Sequence, residues 1–339
     1  MTTSPRPAPR IYNQTHSPRT YSKGKKRVSI YIAWSYPAEA NRAVDDLDNR
    51  YSTMAEVRRV SWPNFEPLAA DPKNFLHGIA GSLELFFRAW VEFQQVVGET
   101  TGHVVPVFQR CDQAGYQLPI DDRILEDTDI LMVFGLDHSI TEQEASAEEI
   151  AAIKKFLARE GTSLIIGPHH DVGDTEDLGT RHLEYRHHGD RLVPRQQAFG
   201  RYTRSLMQGL GIPVENRYGL RPMRDKETHQ MAPLSINRDL DTRGFFEGVT
   251  TFNYHMHMPH YAITEEDSKS IHVLAKQPID LTRPPHPFTD AGNKEFNAFN
   301  WMPPQGERAG DVMIVDSTIF STLFGADESL KRFWQNIAK

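Results

Sequence analysis

Cysteine is almost missing from this chain: among 339 residues only Cys111 occurs. One thiol permits neither an intramolecular disulfide nor a cysteine-rich zinc site, and it makes the cytoplasm the expected location. Long apolar runs are missing as well. The longest span four to six residues, whereas a membrane-spanning helix needs about 20, so no membrane is expected as a partner. The first 27 residues hold no apolar stretch of the kind a secretory signal requires. Positive charge is in deficit. A net charge of −7 leaves no field strong enough to gather phosphates, so nucleic acid is not expected as a partner. Glycine-rich phosphate loops are absent: neither G-x-G-x-x-G nor G-x-x-x-x-G-K-[ST] occurs, which argues against a nucleotide cofactor.

What is present suits a globular chain, with 39% hydrophobic and 10% aromatic residues and enough length to bury a full core. Charge is uneven at one end. Arg6, Arg10, Arg19, Lys23, Lys25, Lys26 and Arg27 occur there without a single acid. Residues 1–26 therefore read as a basic flexible tail, or as an arm packing on a neighbouring subunit, which makes a homo-oligomer an expectation.

The order of elements follows from periodicity. Residues 27–34 read as a buried first strand, 38–51 as a polar helix, and 57–60 as a weak strand; 62–74 read as a loop. Ile79, Leu83, Phe86, Phe87, Trp90 and Val91 recur at helical spacing and predict a helix over 78–97. Residues 104–108 predict an edge strand, because Pro106 cannot donate to a ladder. Residues 129–135 predict a buried strand, Thr141 with Glu144 offers a capping box, and 148–160 is an amphipathic helix stopped by Gly161. Leu164 to Ile166 then begins the next strand, and strand–helix–strand with short turns implies a parallel pair. The same grammar returns at 310–317 and 329–337. The stretch between, about 171–309, reads as a long irregular His/Arg-rich insertion within one α/β domain spanning 27–339.

Histidine is concentrated in that half, with eleven of the 15 lying between 169 and 286. In Tyr254-His255-Met256-His257-Met258-Pro259-His260, His255 and His257 project from one face of an extended segment, and both rings could address one ion. Gly167-Pro168-His169-His170-Asp171 places three further ligands directly after the Leu164 strand. Zinc, iron or manganese is commonly held by histidines with one carboxylate, leaving a position for water. A metal-free alternative uses the same imidazoles with Asp171 or Glu184 as general acid and base. The bland readings are that His169 and His170 cap strand-end carbonyls and that His255 and His257 are hydrogen-bonded strand residues. His187-His188, among Arg181, Arg186 and Arg191, reads as a solvated loop.

Two segments carry a resemblance. Asp129-Ile-Leu-Met-Val-Phe-Gly with its following helix and the Leu164 strand is one, and Gly310-Asp-Val-Met-Ile-Val-Asp-Ser leading into the last helix is the other. Together they resemble the class I glutamine-amidotransferase-like superfold, especially its trehalose-utilisation-type (ThuA-like) and related branches. The resemblance implies a flavodoxin-like three-layer α/β sandwich with a mostly parallel sheet. The family's nucleophilic cysteine belongs on the turn that here carries Pro168-His169-His170, and Cys111 lies before the Asp129 strand, so glutaminase chemistry is not expected. A histidine on this turn is frequent in the ThuA-like branch, which His169 or His170 would match.

In an open parallel sheet ligands bind beyond the carboxyl ends of the strands. His169, His170 and Asp171 stand there, as do Asp137-His138 and Asp316-Ser317. The expectation is a metal-dependent hydrolase or lyase acting on a small polar, possibly anionic, substrate. Its metal ligands would be His255, His257, His260 and His169, with His169, His170 and Asp171 as catalytic groups. The alternative is a non-catalytic ligand-binding or assembly subunit of the same fold.

Overall fold

Along the first strand, β1 (Val28–Ser35), buried side chains alternate between two separate apolar clusters. Val28, Ile30, Ile32 and Trp34 join one, Tyr31 and Ala33 the other. Such alternation is what a strand covered on both faces produces. The computed structural model describes residues 19, 23–35, 88–111, 116–137, 139–189, 196–227, 230–252, 257–264, 270–322 and 325–339. The expected elements at 38–51, 57–60 and 62–74, and the first part of the expected 78–97 helix, lie outside them.

β1 sits between two parallel neighbours, β2 (Val107–Cys111) and β3 (Ile130–Gly135). β4 (Ser163–Pro168) pairs parallel with β3, and β12 (Asp311–Val315) pairs parallel with β4. Three antiparallel strands complete one side: β11 (Glu295–Met302), β10 (His272–Pro278) and the short β8 (Ser235–Ile236). The eight-stranded sheet thus has the order β2-β1-β3-β4-β12-β11-β10-β8 and is mostly parallel.

Helices cover both faces. On one, α1 (Val91–Thr101) and α7 (Glu328–Ile337) meet through Phe93, which packs edge-on against Phe320 and Trp334 at 5.2 and 5.4 Å between ring centres. On the other lie the short α2 (Asp122–Leu125), α3 (Ala147–Leu157) and α5 (Arg201–Leu210), with Ile124, Ile153, Phe156, Leu206 and Met207 buried. The crossover from β3 through α3 to β4 is the one the sequence predicts. Its capping box is not. The box is Ser146 with Glu149, whose side chains accept each other's backbone N–H at 3.2 and 2.9 Å, while Thr141 ends a 3₁₀ turn. Glu149 is drawn inward because Arg110, the Tyr202 hydroxyl and the Ile120 N–H also bind its carboxylate.

One further expectation is corrected. The stretch 171–309 is not irregular. Among the described residues it supplies β8, β10 and β11 to the main sheet, three helices including α4 (Leu178–His188), and a second sheet. That sheet comprises β6 (Gln197–Ala198), β5 (Asp171–Val172), β7 (Val214–Leu220) and β9 (Met258–Ile263), in that order and antiparallel. Side-chain amides join the apolar contacts where the sheets meet: Asn297 and Asn300 each donate to the Tyr261 carbonyl at 3.1 Å. The described residues of the basic N-terminal segment bind within this same chain, and the rest of the expected tail or arm lies outside the described residues. Arg19 donates to the carbonyls of Val28 and Asp127 at 2.5 and 2.6 Å, and Lys26 to the Gly161 carbonyl at 2.5 Å.

Candidate metal centre

Three strand ends deliver the site. His169 and His170 follow β4 directly, Asp316 follows β12 beside it, and His257 immediately precedes β9. The close approach of β4 to β12 requires glycine: a Cβ on Gly167 would stand 1.8 Å from the Val315 carbonyl oxygen. Tyr261 then fixes the turn by donating its hydroxyl to the Pro168 carbonyl at 2.9 Å. Burial holds that phenol well above its usual pKa, so it stays a donor. The Asn216 side-chain amide donates to the His169 carbonyl, and the His169 N–H to Gly135 at 3.0 Å.

The imidazoles of His169, His170 and His257 come together there, and one nitrogen from each lies within 4.8 Å of the other two. All three are buried, at 3%, 0% and 3% exposure. A tetrahedral ion with Zn–N bonds near 2.0–2.1 Å sets nitrogens about 3.3 Å apart, so modest side-chain shifts would close the set. His169 Nδ1 lies 2.9 Å from Asp316 Oδ2. An ionised carboxylate only accepts, so in the neutral ring this contact puts the proton on Nδ1 and leaves Nε2 as the nitrogen able to bind an ion. This is the arrangement in which metal-binding histidines are held by an acidic neighbour. Asp316 is fully buried and its Oδ1 accepts the Thr318 N–H at 3.0 Å. Phe199 packs edge-on against His169 and His170, at 5.6 and 4.9 Å between ring centres.

A fourth imidazole adjoins the three. His188, at the end of α4, lies 3.9 Å from the His257 ring centre and 4.7 Å from that of His170. The solvated-loop reading of His187-His188 fails: they are 1% and 2% exposed. Space for His188 comes from Gly219, where a Cβ would sit 2.4 Å from the ring. His187 faces elsewhere, with Nδ1 donating to the Pro284 carbonyl at 2.8 Å and Nε2 accepting the Arg221 N–H at 3.2 Å.

Of the other expected site residues, the described ones, His260 and Asp171, lie outside the cluster. His255 and His138 lie outside the described residues. His260 turns away: Nδ1 accepts the Asn297 N–H at 3.1 Å, and the ring lies beside Phe288. Burial, with Arg217 and Lys276 nearby, depresses its pKa to about 4. Asp171 engages Arg204 at 2.9 Å and the Gln196 amide at 2.9 Å, and the carboxylate beside His169 is instead Asp316. Asp316 was visible only as the end of a strand, and sequence adjacency favoured Asp171. Asp137, at the end of β3, accepts the Tyr202 N–H at 3.0 Å and is raised to a pKa of about 7 by burial.

Beside the cluster opens a cavity of about 590 Å³. Pro168 and Asp171, which flank the histidine pair, form part of its wall, as does Asn216. Glu184 lines it too, accepting the Gly173 N–H at 2.7 Å. Of the nine arginines in 181–224, Arg204 and Arg217 line this cavity, and Arg191 and Arg195 lie outside the described residues.

No protein-family model matches the chain, and neither does any curated protein. Among solved structures it is similar to an "mmIFT52 N-terminal domain", at 10% identity and a TM-score of 0.41, over 72% of this chain and 86% of that one. It is also similar to a ThuA-like protein from Bacteroides uniformis ATCC 8492, at 9% identity and a TM-score of 0.41, over 95% of this chain and 93% of that one.

Proposed function

We propose that the protein is a metal-dependent enzyme that cleaves a small polar substrate by hydrolysis or elimination. On this reading His169, His170 and His257 hold one divalent ion, and the neighbouring cavity holds the substrate. The observation that carries the reading is the junction of three buried imidazoles with the Asp316 carboxylate on His169. Zinc, iron or manganese bound there would supply Lewis-acid activation of a water at neutral pH. The protein's own part is positional. Asp316 keeps the proton of His169 on Nδ1, while Tyr261 and Asn216 fix the turn that bears the histidine pair. Phe199 limits the entry of bulk water from its side. In the same proposal the domain is a flavodoxin-like sandwich of the amidotransferase-like kind, with the His169 turn in place of a nucleophilic cysteine. Cys111 is buried on β2, the edge strand, and takes no part.

A second reading is a structural ion or a purely packed histidine core in a non-catalytic subunit. The near-complete burial of all four rings favours it. Metal analysis of the purified, untagged protein by inductively coupled plasma mass spectrometry separates the cases. The expected result is about one zinc, iron or manganese per chain, lost in His257→Ala with the far-ultraviolet circular dichroism retained. Metal-free protein after incubation with all three ions would remove the proposal. A bound ion whose removal unfolds the chain would favour the structural reading.

A further inference from the structure

The cavity beside the histidine cluster is unbalanced in charge. Asp171, Asp174, Glu184 and Glu215 line it against Arg204 and Arg217. Both guanidiniums are already committed to protein carboxylates, Arg204 to Asp171 at 2.9 Å and Arg217 to Glu215 at 2.7 Å. Glu184 and Asp174 form no ion pair with any described residue. Glu184 is the more telling of the two, because it is 5% exposed. Its Oε2 is occupied by the Gly173 N–H at 2.7 Å. Burial, reinforced by the charges of Asp171 and Asp174 and opposed by the Gly173 N–H and the charge of Arg181, whose guanidinium donates to the Thr175 carbonyl, raises its affinity for a proton. A buried carboxylate without a counter-cation is unfavourable until a partner supplies the missing charge. Tyr218 lines the same cavity and adds an aromatic surface of the kind that attracts ammonium groups. Met207, Ile212 and Val214 add apolar surface suited to the carbon frame of a small molecule.

We infer that this cavity takes a small amine-bearing ligand, with its ammonium group between Glu184 and Asp174. The arginine density of the sequence suggests an anion, but the two arginines that reach the cavity are neutralised by their own neighbours. Identification of the amine as the substrate rests on the metal-site reading; binding of the amine does not.

Isothermal titration calorimetry of the full chain tests the inference with a matched four-carbon series: 1,4-diaminobutane, 1,4-butanediol and succinate, each with and without prior EDTA treatment. The expected result is one diaminobutane per chain and weaker binding of the diol and of succinate. Glu184→Gln, which retains an oxygen for the Gly173 N–H, should weaken diaminobutane about tenfold or more, the loss expected for a hydrogen bond between charged groups. Glu247→Gln makes the same charge change at an exposed site and should leave affinity unaltered, which separates the cavity from the general attraction of an acidic protein for cations. Succinate binding as tightly as the diamine, no diamine binding at millimolar concentration, or an unaltered Glu184→Gln variant would overturn the inference. Diamine binding that persists in protein found free of metal would leave the cavity assignment standing while removing the metal site. A bound metal without selectivity for the amine would do the reverse.

Discussion

Replacing Asp316 with Asn probes the metal centre without touching a ligand. The carboxylate accepts on both oxygens, from His169 Nδ1 at 2.9 Å on Oδ2 and from the Thr318 N–H at 3.0 Å on Oδ1. An amide has one acceptor and one donor, so it can satisfy only one of these partners. If its oxygen stays on Thr318, its NH₂ faces His169, which must then accept at Nδ1 and carry its proton on Nε2. The nitrogen needed for the ion is thereby lost. If the amide turns over, two donors meet at Thr318 in a fully buried site, which costs about 1–3 kcal/mol. The metal-competent tautomer is therefore reached only in the second, costlier arrangement. Loss of such an orienting group typically weakens metal binding about 10–100-fold, equivalent to about 1.4–2.8 kcal/mol. Zinc affinity measured by competition against a chromophoric chelator near neutral pH reads this directly. Thermal unfolding of the metal-free proteins shows how much of the effect is general destabilisation. Equal zinc affinity in the Asp316→Asn and parent proteins would refute the reasoning, because His169 would then not bind through Nε2.

Two further predictions concern stability. His286 is buried, its Nδ1 accepts the Phe288 N–H at 3.0 Å to cap α6 (Pro287–Asp290), and burial lowers its pKa to about 3. Its unfolded value is about 6.5, so the unfolded chain takes up the proton first as pH falls. The contribution to stability is complete above about pH 6.5 and declines below it, by on the order of 2 kcal/mol at about pH 5. Urea denaturation should therefore show a shallower loss from pH 7 to 5 in His286→Asn, which keeps a capping oxygen but cannot titrate; an identical slope would contradict the assignment. Trp334 is fully buried against Phe93 and donates Nε1–H to the Ile319 carbonyl at 2.9 Å. Trp334→Ala should lower unfolding free energy by about 3–5 kcal/mol, seen as a reduced urea midpoint. A shift below about 1 kcal/mol would mean that α7 does not close this face of the sheet.

The central strands β1, β3, β4 and β12 and the helices α3 and α7 are legible from the chain because each carries its own periodicity. A strand covered on both faces must be apolar throughout, and a helix on a sheet must be apolar along one stripe. β11 escapes that rule because Asn297 and Asn300 face β9 and donate to its Tyr261 carbonyl. The histidine pair at 169–170 is likewise legible, since it stands just past a buried strand, where ligands collect. Its companions are not. Asp316 is 147 residues away from His169 and meets it only because β12 inserts beside β4. His188 looks solvated among arginines, yet it is buried because the absence of a side chain at Gly219 lets its ring lie against β7. Local composition dictates which segments become strands and helices, because hydrogen bonding and burial there are settled within a few residues. The partners of His169 follow from strand order, which depends on how distant apolar faces pack, and no local pattern encodes that.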